Sequence, residues 1–291
     1  MGILNAMPPY NLFGLEEQDY KKAKVVVFPI PYDSTSTYKV GSREGPRAII
    51  EASRSMELYS EELNRRISDI GIYTMEEMAP DFDSPKGMVD RIAKEVSLAL
   101  DDSKVPLLIG GEHTIAIGAV KAIAGKYKDF SVLHFDAHAD SYDEFHNSRY
   151  CHACVMARIR EICKSCYSVG VRSIDEKSAK KLNDILYMKE ARKLSARLIA
   201  EKILKSTTKN LYVTIDLDVL DSAEMPSTGT PEPGGFRYNE LKDILEIVLK
   251  QRKLIGMDVN ELCPLPGMVA PNYLAAKLIY QALGYAFLSR K

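Results

Sequence analysis

At 291 residues, with 46% hydrophobic and 27% charged residues, the chain has the composition of a globular protein with a sizeable core, which excludes extended disorder. Its 39 basic and 40 acidic residues nearly cancel to a formal net charge of −1, which argues against a nucleic-acid-binding surface. No apolar run approaches the roughly 18 residues of a membrane helix, the opening MGILNAMPPYNLFG lacks a basic start followed by an apolar core, and the five cysteines are an odd number, so a cytoplasmic protein with reduced thiols is expected.

In chain order, short runs rich in β-branched and apolar residues predict strands at KVVVFPIPY (24–32), ISDIGIY (67–73), KVPLLIGGEH (104–113), FSVLHFDAH (130–138), CYSVGVRS (166–173), DILYMKE (184–190), NLYVTIDLDV (210–219) and KLIGMDVNEL (253–262). Longer amphipathic stretches between most of them predict helices at 45–64, 86–102, 114–128, 178–183, 191–206 and 238–252. In the last of these, Leu241, Ile244, Leu245 and Leu249 recur at helical spacing. The polar stretch 189–209 predicts a solvated helix. Strand alternating with helix is the pattern of a parallel sheet covered on both faces. The expectation is a single domain over 1–291, a three-layer α/β/α sandwich around a central, mostly parallel, eight-stranded sheet.

Parallel sheets place ligand sites beyond the carboxyl ends of their strands. Three predicted strands end in unusual polar clusters. In DAHAD, Asp136, His138 and Asp140 alternate, so in an extended segment they share one side. DLD repeats the device with Asp216 and Asp218, and GGEH adds His113 after a tight Gly110-Gly111 turn. Taken singly, an Asp-x-Asp after a strand is as readily a loop or helix cap, and His134, just before its strand ends, reads as a hydrogen-bonded core histidine. Together, so many carboxylates in one crevice demand cations. Six N/O donors exceed the needs of one ion, and oxygen-rich ligation without thiolate suits two Mn²⁺ ions better than structural Zn²⁺. Such a pair would activate a water near neutral pH.

The stretch RYCHACVMARIREICKSC (149–166) carries four of the five cysteines as two Cys-x-x-Cys pairs. Zinc ribbons separate their pairs by roughly 12–20 residues and use glycine-containing knuckles. Here the run VMARIREI between the pairs has helical periodicity and no glycine, so Cys151 and Cys154 would open a helix while Cys166 begins the next strand. The four sulfurs are not expected to converge. The thiols read first as inert, second as a redox-sensitive pair, and third as metal ligands.

GGEHT, HFDAHADSYDEF, TIDLDVLD, TGTPEPGG, GMDVNELCP and YKVGSREGPRAII resemble the signature segments of the arginase/agmatinase ureohydrolases, and of the agmatinase branch in particular, over about 25–285. The resemblance implies an arginase-like fold and two Mn²⁺ ions per subunit. It assigns His113, Asp136, Asp140 and Asp216 to one ion and Asp136, His138, Asp216 and Asp218 to the other. The implied reaction is attack of an activated water on a guanidinium carbon, giving urea and an amine. Asp140 would orient the water and move its proton. Glu261 would grip the guanidinium. His152 would meet the substrate and shuttle protons.

Several positions depart from the family pattern: Cys151, Ala153 and Cys154 replace parts of a Ser-His-Gly-Thr type segment, Glu112 stands where Asp is common, and Ser222 where proline is common. His146 receives no role. The run Ser141 to Phe145 resembles the agmatinase branch, which implies agmatine as the small guanidino substrate, with Asp143 and Glu144 as candidates for its amine. The family is commonly trimeric or hexameric, so a homo-oligomer is expected, with residues 1–23 as an N-terminal arm and no nucleic-acid or membrane partner. The rival readings are a ureohydrolase acting on arginine or guanidinobutyrate, a non-catalytic sensor built on the cysteine pairs, and a two-metal phosphoesterase that would enlist Arg149 and Arg172 as phosphate clamps.

Overall fold

The computed structural model describes residues 7–288. In chain order its elements are β1 (Val25–Ile30), α1 (Gly45–Ser53), a hairpin of β2 (Tyr59–Ser60) and β3 (Arg65–Arg66), β4 (Ile72–Thr74), α2 (Pro85–Asp101), β5 (Val105–Gly110), α3 (Ile115–Lys126), β6 (Ser131–Phe135), α4 (Val155–Ile162), β7 (Cys166–Val171), α5 (Glu176–Lys181), β8 (Ile185–Tyr187), α6 (Met188–Ala191), α7 (Ala196–Ser206), β9 (Asn210–Asp216), α8 (Tyr238–Gln251), β10 (Lys253–Asn260) and α9 (Ala270–Phe287).

Eight strands form one sheet in the order β4-β1-β5-β10-β9-β6-β7-β8, and every pairing in it is parallel. β1 and β6 are buried along their whole length, as strands covered on both faces must be, which is why β1 reads as a continuous apolar run and β6 as one broken only by Ser131 and His134. One core packs α1 and α6 to α9 against one face, and a second packs α2, α3 and α4 against the other. The expected three-layer sandwich is therefore present, with a sheet that is wholly parallel.

Sheet order places the three polar strand ends together. β5, β10, β9 and β6 are consecutive neighbours at the centre. Ile109, Val259, Ile215 and Phe135 lie in one register row across them. The residues one step further along face the same crevice mouth: Gly110, Asn260, Asp216 and Asp136.

Four segments differ from expectation. The helix expected over 45–64 stops at Ser53, and the remainder turns back as the β2–β3 hairpin, with Asn64 at φ 53° in its turn. The solvated helix expected near 189–209 is broken into α6 and α7, where the Ser195 side chain accepts from Leu198 N–H at the new start, and α7 buries Ile199, Ala200 and Ile203. α9 has no counterpart among the expected helices. It is buried on nearly every side, so it shows no amphipathic stripe from which a helical period could be read. Lastly, the anticipated N-terminal arm folds back onto its own chain: Leu12 and Phe13 are buried, Phe13 N–H donates to Ser53 Oγ at 2.8 Å, and the Phe13 ring meets Tyr280 at 4.6 Å. Residues 1–6 of that arm lie outside the described residues. No helix among the described residues is long and apolar enough to cross a membrane.

Candidate active site

The turn after β5 is tight because the backbone there is wedged between two neighbours. A Cβ at Gly111 would lie 2.1 Å from the Tyr32 carbonyl oxygen. Glu112 N–H donates to that same oxygen at 2.7 Å, and Glu261 N–H, arriving from β10, donates to Gly111 O at 2.8 Å. Only glycine fits. The turn delivers His113 into the crevice, fully buried.

The His113 ring is oriented from behind. Its Nε2 lies 2.7 Å from Thr214 Oγ1, and that hydroxyl donates to the buried Asp258 at 2.6 Å. With its proton committed to Asp258, Thr214 accepts from Nε2–H, which leaves Nδ1 as the nitrogen aimed at the crevice. Around that Nδ1 stand Asp136 and Asp140, each at 3.2 Å, and Asp216 at 3.6 Å. Nδ1 makes no well-formed hydrogen bond although it is fully buried. A second focus lies alongside: His138 Nδ1 sits 2.8 Å from Asp218 and 3.5 Å from Asp136. Asp136 thus belongs to both groups of potential metal donors.

This arrangement fits cations. Burial, with the charges of Asp218, Asp136 and Glu261, pushes the Asp216 carboxyl well above the usual range, and burial raises Asp218 as well. An imidazole nitrogen without a hydrogen bond, ringed by carboxylates that repel one another, is a donor set that divalent ions would satisfy. All six residues expected as ligands converge here. His134, expected to be a hydrogen-bonded core histidine, is fully buried and braces Asp136 Oδ2 at 2.8 Å and Ser168 Oγ at 3.0 Å, while also standing in the potential donor group with His113, Asp136 and Asp140.

Two further carboxylates at this crevice sit on left-handed backbone, Asp140 at φ 46° and Glu261 at φ 68°. Non-glycine residues held there mark places where the surroundings impose conformation. Asp140 turns so that its carbonyl accepts Met156 N–H at 2.8 Å at the start of α4 while its side chain stays on His113. Glu261 is half-buried behind the candidate metal residues, and its Oε1 accepts His113 N–H at 2.7 Å. His113, His138, Asp140, Asp216 and Glu261 open into a cavity of about 300 Å³, whose wall also carries Tyr142, Phe145, His152 and Asp175. His152 is partly buried, which holds its imidazole below the ordinary value. Its Nδ1 lies 3.3 Å from Thr35 Oγ1 and its backbone N–H donates to the same oxygen at 3.1 Å.

Some expected residues stand elsewhere. Asp143 is exposed and ion-paired with Arg149 at 3.0 Å and with Arg158, and neither Asp143 nor Glu144 lines the cavity. The carboxylate at the cavity wall is instead Asp175, which caps α5 by accepting Ser178 N–H at 3.0 Å. Nothing in its local sequence beyond an N-cap pattern marked it. Arg149 and Arg172 are also engaged: Arg149 by Asp143 and Glu161, Arg172 by backbone carbonyls including Asp218 O at 2.7 Å and Glu232 O at 2.8 Å. Neither is a phosphate clamp. Thr214, Asp258, Thr35 and Glu112 complete the site without having been singled out for it.

Cys151 and Cys154 Sγ lie 3.3 Å apart. No cysteine joins a potential metal group among the described residues. The double substitution Cys151→Ser and Cys154→Ser is expected to leave metal content unchanged, at a stability cost of about 1–3 kcal/mol for hydroxyls placed in buried sites. Elemental analysis and thermal unfolding check this, and a loss of bound metal would contradict it.

Residues 23–284 match the model of the arginase family. The chain is 36% identical over 279 residues to the N(1)-aminopropylagmatine ureohydrolase of Synechocystis sp., covering 91% of this chain and 90% of that protein. It is 34% identical over 261 residues to the agmatinase of Halalkalibacterium halodurans, covering 87% and 89%. In structure it resembles the agmatine ureohydrolase of Thermoplasma volcanium, with a TM-score of 0.86 at 28% identity over 93% of this chain and 92% of that one.

Proposed function

Because this chain belongs to the arginase family of ureohydrolases, we propose that it hydrolyses the guanidinium group of agmatine to putrescine and urea, using two Mn²⁺ ions. The observation that carries this reading is a half-buried carboxylate, Glu261, opening into the same cavity as His113, His138, Asp140 and Asp216, beside the potential donor groups His113–His134–Asp136–Asp140 and Asp136–His138–Asp218. Oxygen-rich donors with two imidazoles and no thiolate suit Mn²⁺, and the bound ions would neutralise the carboxylates and supply an activated water. His113, Asp136, Asp140 and Asp216 would hold one ion, and Asp136, His138, Asp216 and Asp218 would hold the other.

The chain's own residues do the rest. Glu261 accepts the guanidinium N–H groups and fixes the planar carbon over the metal residues. Asp140 takes the proton of the attacking water and passes it to the departing nitrogen. His152, at the cavity wall, exchanges protons with solvent and meets the substrate. Asp175 supplies negative charge, and Tyr142 and Phe145 supply aromatic faces, for an amine at the far end of the substrate. Lys39 also lines the cavity, but its ammonium is turned onto Cys263, with Sγ at 2.7 Å.

A second reading, N(1)-aminopropylagmatine as substrate, is favoured by the 36% identity to the Synechocystis enzyme. Both substrates carry a guanidinium at one end and an amine tail without a carboxylate. Urea release from agmatine, N(1)-aminopropylagmatine, arginine and 4-guanidinobutyrate, measured side by side on Mn²⁺-loaded protein, is expected to favour the amine-tailed pair. Faster turnover of arginine or 4-guanidinobutyrate would sink the reading.

A further inference from the structure

We infer that Thr35, held by Glu112, is a positioning residue that fixes the tautomer of His152, placing the proton on Nδ1 and leaving Nε2 as the basic nitrogen. The first observation is the convergence of donors on Glu112. This fully buried carboxylate takes Thr35 N–H at 2.6 Å on one oxygen, and Thr35 Oγ1 at 2.7 Å and Thr114 Oγ1 at 2.6 Å on the other. An ionised carboxylate only accepts, so the single Thr35 hydroxyl proton is committed to Glu112.

The second observation is how the rest of that hydroxyl is used. Its two lone pairs face His152 twice, taking the backbone N–H at 3.1 Å and meeting ring Nδ1 at 3.3 Å. With no proton left to offer, Thr35 tolerates only a protonated Nδ1 opposite it. On the other side of the ring, Thr37 Oγ1 lies 3.5 Å from Nε2, a weak contact at the edge of hydrogen-bonding distance, with a hydroxyl proton free to point there. The Thr35 contact therefore selects the tautomer, and the Thr37 contact accommodates it. The link spans 117 residues of sequence. It also gives Glu112, which stands where the family commonly has Asp, a task that its extra methylene serves: reaching the Thr35 loop.

The test is made at pH 8.5, above the ordinary carboxylate and imidazole ranges. The protein, loaded with diamagnetic Mg²⁺ and carrying ¹⁵N-histidine, is read by long-range ¹H–¹⁵N correlation. The chain has five histidines, and the His152→Ala variant assigns the signal by its disappearance. The Nδ1–H pattern is expected in the parent and in Thr35→Ser, and substantial Nε2–H in Thr35→Val. A parent showing Nε2–H, or Thr35→Val showing an unchanged pattern, overturns the inference. The parent spectrum decides even if Thr35→Val does not fold.

The kinetic half rests on the proposed role of His152. There, Thr35→Val is expected to lower kcat for urea release about tenfold or more with KM changed little, and Thr35→Ser to restore it. An unchanged kcat beside a shifted tautomer would refute the role of His152 and leave the positioning intact.

Discussion

Replacing Asp216 with Asn is expected to make the metal-free protein more stable and the enzyme nearly inactive. Asn keeps the shape and the acceptor that Asp218 N–H uses at 2.8 Å. It removes one charge from a buried group of carboxylates, where Asp218, Asp136 and Glu261 already push the Asp216 carboxyl well above the usual range. A carboxyl whose folded-state pKa is raised favours the folded protein only while protonated, so its contribution is lost as pH rises through that value. The gain from Asn is therefore greatest at neutral pH and fades toward pH 4, near the value of an unfolded aspartate. In the presence of Mn²⁺ the effect reverses. The parent gains stability in proportion to the logarithm of metal concentration, and the variant loses most of that gain along with at least one bound ion. Urea release should fall by several kcal/mol of transition-state stabilisation, about 10³-fold or more. Thermal unfolding with and without Mn²⁺, elemental analysis and a urea assay give the three readouts. A variant that binds metal like the parent would remove Asp216 from the ligand set.

Glu261→Gln is expected to separate substrate grip from metal binding. The amide oxygen can still accept His113 N–H, now at 2.7 Å from Oε1, so the turn that carries His113 should persist and metal content should match the parent. What disappears is the charge proposed to face the guanidinium. Removing one partner of a buried, hydrogen-bonded charge pair costs about 2–5 kcal/mol, roughly 10²- to 10³-fold in kcat/KM. If the grip tightens as the planar guanidinium becomes tetrahedral, kcat falls with it; if substrate and transition state are held equally, the loss appears in KM alone. A variant within threefold of the parent in kcat/KM would show that the guanidinium lies elsewhere in the cavity.

Much of this protein is legible in its sequence, and for a definite reason. Strands buried on both faces need apolar side chains on both, so β1, β5, β6 and β9 appear as largely apolar runs whose polar ends stand out. The polar residues that follow those strands supply Asp136, His138, Asp140, Asp216 and Asp218, although Asp140 reaches its place on left-handed backbone and Asp218 in a 3-10 turn rather than by extended alternation. Local sequence carries the donor set and the sandwich.

Tertiary structure decided everything that depends on which distant segments become neighbours. Sheet order, not sequence order, brings β10 between β5 and β9 and so sets Glu261 against His113, 148 residues away. It also chose Asp175 over Asp143 for the cavity, because Arg149 and Arg158 draw Asp143 outward while the start of α5 holds Asp175 at the wall. The proton positions on His113 and His152 follow from Thr214 and Thr35, contacts across 101 and 117 residues that no spacing encodes. α9 stayed hidden for the converse reason: a helix wrapped by core on nearly every side has no polar face to mark its period.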